Sequence, residues 1–177
     1  MRESTKSLIF WLKAWFAPGL RPSEVDFRRV RRLVFVCKGN LCRSAYAHAL
    51  AVDHGLPVVS CGLEAGLGEP ADPDAQRVAA ARGVQLQWHR TSNWTDTALG
   101  KDDLVLAMEP WHLNRLGRRA FGAGSQVGLL GLWSTPPRRT IPDPYGLADA
   151  SFEACFDLID AAVDRLARQM VAPKGLA

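Results

Sequence analysis

The stretch that decides the fold is Leu33-Val34-Phe35-Val36-Cys37-Lys38-Gly39-Asn40-Leu41-Cys42-Arg43-Ser44. The apolar run Leu33 to Val36 predicts a short buried strand. A tight connection containing Gly39 and Asn40 follows, and both residues tolerate positive φ. Ser44 to Val52, rich in Ala and Leu, predicts a helix. Cys37 then ends a strand, and Arg43 stands in the first helical turn. Backbone N–H groups of such a loop turn inward and form a nest for an anion. The helix N-terminus adds unpaired donors and a partial positive charge. The same field favours a thiolate at Cys37, because helix N-termini and cations lower the usual cysteine pKa of ~8.5. Arg43 offers a planar fork to two oxygens of a phosphate. Ser44 offers a hydroxyl to the sulfur, and Lys38 adds positive charge at the rim.

Cys37-x-Gly39-Asn40-x-Cys42-Arg43-Ser44 resembles the phosphate loop of the low-molecular-weight protein tyrosine phosphatases. A bare C-x5-R match would say little. Here it follows a strand near the start of a domain, with Gly, Asn, the second Cys and Ser in register. Ala45 stands where the family usually has Pro. The resemblance implies Cys37 as nucleophile and Arg43 as the transition-state clamp. It implies substrate contacts from Lys38, Gly39, Asn40, Leu41, Cys42 and Ser44. It also implies that His89 supports the loop through Asn40 and the strand-end Ser60.

Downstream, Ile141-Pro142-Asp143-Pro144-Tyr145-Gly146 holds a carboxylate between two prolines. Both flanks restrict the backbone, so the side chain is presented at one position. Taken alone, Asp-Pro reads as a turn. Beside the upstream motif it matches the family's Asp-Pro-Tyr pattern, which makes Asp143 the general acid and puts Tyr145 at the substrate. Gly146 replaces a second aromatic often found there. Leu67, in the Gly- and Glu-rich stretch 63–70, stands where many members carry a substrate-stacking aromatic.

The chain has 177 residues, with 47% hydrophobic and 23% charged residues, a formal net charge of +4 and a pI near 9.1. That suits one globular domain with an extension. The basic excess fits an anionic substrate, and no dense basic tract points to nucleic acid. Cys37, Cys42, Cys61 and Cys155 form no C-x-x-C pair and no zinc spacing with histidine. Neither a metal nor a cofactor is implied, because arginine and the nest neutralise the phosphate. No secretory pattern is evident, so a reducing cytoplasm is expected.

Residues 1–32 read as an N-terminal extension, 33–170 as the phosphatase domain and 171–177 as a tail. Leu8, Ile9, Trp11, Leu12, Trp15 and Phe16 recur at helical spacing, which predicts an amphipathic helix over 4–17. It is too short to span a bilayer, which needs ~20 apolar residues. Docking on its own domain or pairing in a homodimer is favoured over membrane contact. Further on, helices are predicted over 72–82, 109–116 and 149–170, and strands at 58–60, 103–108 and 126–130. Residues 117–124 read as a basic, glycine-containing loop. Strands and helices alternate four times, which predicts an α/β fold. It has a four-stranded parallel sheet with helices on both faces. The expected activity is hydrolysis of phosphotyrosine on a protein partner, a bacterial tyrosine kinase among the candidates. An arsenate reductase on the same scaffold and a phosphotyrosine-binding protein without turnover are the alternatives.

Overall fold

The computed structural model describes residues 21–171; the side chains of 118 and 121 are not described. The amphipathic segment 4–17 and most of the tail lie outside the described residues. The element order is β1 (Arg32–Cys37), α1 (Arg43–Asp53), β2 (Val58–Gly62), α2 (Pro73–Ala81), β3 (Asp103–Ala107), α3 (Pro110–Gly122), β4 (Gln126–Leu129) and α4 (Asp149–Val171). The strands form one parallel sheet in the order β2-β1-β3-β4. Leu33 to Cys37 are all buried, as a strand covered on both faces must be.

The pleat sends alternate residues to opposite faces. Leu33 and Phe35 join a core with Ala47 of α1, Val78 of α2, and Phe152, Phe156 and Ile159 of α4. Val34 and Val36 join a second core with Leu116 and Ala120 of α3 and Val127 of β4. Tyr46 stacks on Phe156 with ring centroids 3.8 Å apart, and its hydroxyl donates to Asp160 Oδ1 at 2.8 Å. This contact ties the first helix to the last. Such aromatic pairs contribute about 0.5–1.5 kcal/mol beyond burial.

Two elements differ from the sequence expectation. The helix expected to stop at residue 116 continues to Gly122. Glycine inside a helix costs about 0.5–1 kcal/mol relative to Ala. Leu116 and Ala120 lie one turn apart on the buried face, and their packing outweighs that cost. The segment 21–31, read with the extension, packs on the domain. Val25 and Val30 are in the core, and Asp26 and Gln126 exchange two hydrogen bonds of 2.7 and 3.0 Å. Among the described residues no helix is long and apolar enough to cross a membrane.

From β1 the chain passes to β2 on one side, while β3 lies on the other. Between these two directions a crevice opens at the C-terminal ends of the strands. Cys37 and Glu109 flank it.

Candidate active site

The loop after β1 is held from outside by its carbonyls. Cys37 O accepts from Leu63 N at 3.0 Å, Lys38 O from Glu64 N at 2.9 Å and Leu41 O from Asp72 N at 3.1 Å. His89 Nε2 lies 2.8 Å from Asn40 O. In a trans peptide the N–H opposes the preceding C=O. Turning these carbonyls outward therefore turns the amides of Lys38, Gly39, Leu41 and Cys42 inward. Asn40 takes the left-handed conformation, φ 56°, and its own N–H points at Cys37 Sγ at 3.2 Å. Gly39, expected to share that conformation, does not. Helix α1 begins at Arg43 without a side-chain cap, which leaves its first donors open to an anion.

Below the loop, Cys37 Sγ lies 3.0 Å from Ser44 Oγ. Asn40 Nδ2 donates to Ser44 Oγ at 2.8 Å and to Ser60 Oγ at 3.0 Å. With a lone pair of Ser44 engaged by the amide, its proton is free for the sulfur. Asn40 and Ser44 are fully buried, so they act under the loop and do not reach its cavity.

Arg43 crosses the crevice and is 1% exposed. Its Nη1 donates to Glu109 Oε1 at 2.6 Å and to Ile141 O at 3.0 Å. Nη2 pairs with Asp143 Oδ2 at 2.6 Å. Nε has no hydrogen-bond partner among the described residues. On the Nε–Nη2 edge, the one that grips an oxyanion with two bonds, Nε is therefore unpartnered while Asp143 holds Nη2. Burial opposes the charge on Arg43, but Cys37, Asp143 and Glu109 around it prevail and hold its pKa above the ordinary value.

A cavity of about 180 Å³ opens here, lined by Cys37, Lys38, Gly39, Leu41, Cys42, Arg43, Asp143 and Tyr145. Glu64 also lines it, with Lys38 Nζ at 3.9 Å and Arg115 Nη1 at 4.0 Å. Leu67 is 77% exposed and is not among the lining residues; Leu41 and Tyr145 supply the apolar walls instead.

A model of the low molecular weight phosphotyrosine protein phosphatases matches residues 32–174. The chain belongs to that family. The low molecular weight protein-tyrosine-phosphatase Wzb of Salmonella typhi is 35% identical over 146 residues, 81% of this chain and 97% of the relative. The tyrosine phosphatase Wzb of Escherichia coli K30, solved with sulphate, has a TM-score of 0.69 at 30% identity and covers 80% of this chain and 99% of its own. The YwlE arginine phosphatase of Geobacillus stearothermophilus has a TM-score of 0.68 at 31% identity and covers 79% of this chain and 92% of its own.

In this phosphatase the support behind the loop is built from two histidines, and sequence reasoning found one. His89 reaches the backbone carbonyl of Asn40. The expected bond from His89 to Ser60 is absent; His48 Nδ1 lies 3.0 Å from Ser60 Oγ instead. His48 follows Ser44 by one helical turn, a spacing that could have flagged it. Burial lowers the pKa of both rings, and each neutral ring can serve as donor or acceptor. Glu109 was also missed, since nothing local marks a carboxylate before a helix-starting proline as an arginine clamp. His112, one turn into α3, accepts from Glu109 N at 3.2 Å. Its pKa is pushed down to about 3, by burial first and by the Arg43 charge second.

Proposed function

We propose that the protein hydrolyses phosphotyrosine in protein substrates through a cysteinyl-phosphate intermediate. The Cys37 thiolate attacks phosphorus in line, forming S–P as the P–O bond to tyrosine breaks. Arg43 and the inward amides hold the equatorial oxygens as charge spreads over them. Asp143 gives its proton to the departing phenolate. It then takes a proton from the water that attacks phosphorus and breaks S–P, releasing phosphate. A bound phosphoryl group takes the Nε–Nη2 edge of Arg43, which detaches Asp143 and frees it for proton transfer. One observation carries this reading: Cys37, the Arg43 guanidinium with its unpartnered Nε and the carboxylate of Asp143 converge on one cavity with apolar walls. Those walls suit an aryl ring. The partner is a phosphotyrosine-bearing protein, of which a bacterial tyrosine kinase is one kind.

A second substrate, phosphoarginine, is favoured by Glu64, a cavity-lining carboxylate that suits a guanidinium. The ion contacts of Glu64 with Lys38 and Arg115 compete for it. Arsenate reduction fits less well. It requires further reactive thiols, whereas burial pushes Cys61 and Cys155 up to about 12.

The test compares phosphate release from matched phosphotyrosine and phosphoarginine peptides by the native enzyme and by Cys37→Ser. Higher kcat/KM on phosphotyrosine is expected. The variant should lose turnover yet still bind inorganic phosphate in calorimetry, because Arg43 and the nest remain. Turnover by Cys37→Ser close to native would overturn the mechanism.

A further inference from the structure

Beside the catalytic cavity lies a larger groove of about 820 Å³, and Asp143 lines both. Helix α4 supplies an apolar floor through Ala154 and Leu158, and Leu147 adds to the wall. Arg138 and Arg139 stand over it from the loop that carries Asp143. The backbone of that loop is pinned at both ends. Arg138 N donates to Gly131 O at 2.7 Å, and Ile141 N donates to Met108 O at 2.9 Å. Gly131 approaches so closely that a Cβ there would meet Arg138 O at 2.5 Å.

The charges are unbalanced at this groove. Arg32, Arg43, Arg77 and Arg82 each hold a carboxylate. Arg138 and Arg139 are exposed and hold none among the described residues. Asp143 is the one carboxylate among the residues lining the groove, and Arg43 engages it at 2.6 Å. Two unneutralised guanidinium groups thus face solvent over an apolar floor, continuous with the cavity that takes the phosphoryl group. A substrate side chain seated in the cavity must bring its neighbouring residues across this surface. The chain's own residues 1–20 carry Arg2, Lys6 and Lys13 against Glu3, the wrong sign to fill it.

We propose that the groove binds the polypeptide flanking the phosphorylated residue and selects an acidic side chain, Asp or Glu, next to it. The proposal rests on the phosphatase reading of the cavity. Arginine forks match carboxylates in geometry as well as charge. The selection acts through binding and encounter, so it falls on KM more than on kcat.

Three phosphotyrosine peptides with acidic, neutral or basic flanks test it, with nitrophenyl phosphate as a substrate that has no flanks. For the native enzyme KM should rise from acidic to basic flanks. Two exposed ion pairs support a spread of about three- to tenfold between acidic and neutral peptides. Salt at roughly 0.5 M should compress that spread. Arg138→Ala with Arg139→Ala should abolish it while leaving nitrophenyl phosphate kinetics unchanged. Arg138→Glu with Arg139→Glu should reverse the ranking, an outcome that a damaged fold cannot produce. A native enzyme that hydrolyses nitrophenyl phosphate but ignores the flanks overturns the groove alone, as does a double alanine variant that keeps the ranking. Failure on nitrophenyl phosphate as well as the peptides overturns the phosphatase reading itself.

Discussion

Asp143 is held by Arg43 at 2.6 Å and is partly open to solvent, so it can exchange partners when an anion arrives. Its proposed proton matters in proportion to the need of the leaving group. Nitrophenolate departs with little help, whereas the phenolate of tyrosine has a parent pKa near ~10. General acid catalysis typically supplies ~10²–10⁴-fold. Asp143→Asn should therefore lose one to several powers of ten more rate on a phosphotyrosine peptide than on nitrophenyl phosphate. Single-turnover measurements isolate the first step, in which the proton is given. Equal losses on both substrates would make Asp143 a turn residue, and the acid would lie elsewhere.

Among the elements, the contact that matters most to the site is the end of β2 against the phosphate loop. Gly62 pairs with Cys37 across the sheet and donates its N–H to Ser92 O at 2.9 Å. A Cβ at residue 62 would lie 2.7 Å from Asn40 N and 2.8 Å from Gly39 C. Both are backbone atoms of the nest and cannot swing away as a side-chain tip would. Overpacking of this kind costs about 1–3 kcal/mol. Gly62→Ala is expected to lower the melting temperature by a few degrees. It should also weaken phosphate binding, because the clash pushes on the Gly39–Asn40 peptide and so shifts the inward amides on either side of it. Calorimetric titration with inorganic phosphate, alongside a thermal melt, reads both effects. Native phosphate affinity in a destabilised variant would show that the loop absorbs the clash without moving its donors.

On the scale of the whole molecule, His48, His89 and His112 are all held below the ordinary histidine pKa, burial being the first cause in each. The unfolded chain takes up these protons near pH ~6.5 and the folded chain only lower. Between those values the unfolded state binds more protons, so stability is fully present above the window and falls as pH falls through it. For His112, with its pKa at about 3, the window runs from ~6.5 downward. One such group can cost up to ~1.4 kcal/mol per pH unit there. His112→Gln keeps an acceptor for Glu109 N–H and removes the titration. Denaturant melts at pH 7.5, 6.5 and 5.5 (values chosen to span about one unit either side of the unfolded histidine pKa) should show a shallower loss in this variant. Parallel slopes in the two proteins would assign the acid sensitivity to other groups.

The sequence by itself determined the sheet and the place of Cys37 at the end of its first strand. Leu33 to Val36 read as a strand buried on both faces and the alternation that follows as a parallel sheet, and both are found. Those signals are local, because periodicity and turn chemistry act over a few residues. The long reach of α3 was not local: Gly117 reads as a break until Leu116 and Ala120 find a core to fill. Ser60 and His89 were legible only through the family motif, and their partners were partly reassigned. His48, from an adjacent helix, supplies the contact to Ser60, and His89 meets a backbone carbonyl. Glu109 meets Arg43, 66 residues away in the chain, and Gly62 pairs with Cys37 only because the fold makes them neighbours in space. The tertiary structure decided these partners because a side chain's hydrogen bonds and close contacts depend on which strands the sheet places side by side, an ordering no window of sequence contains.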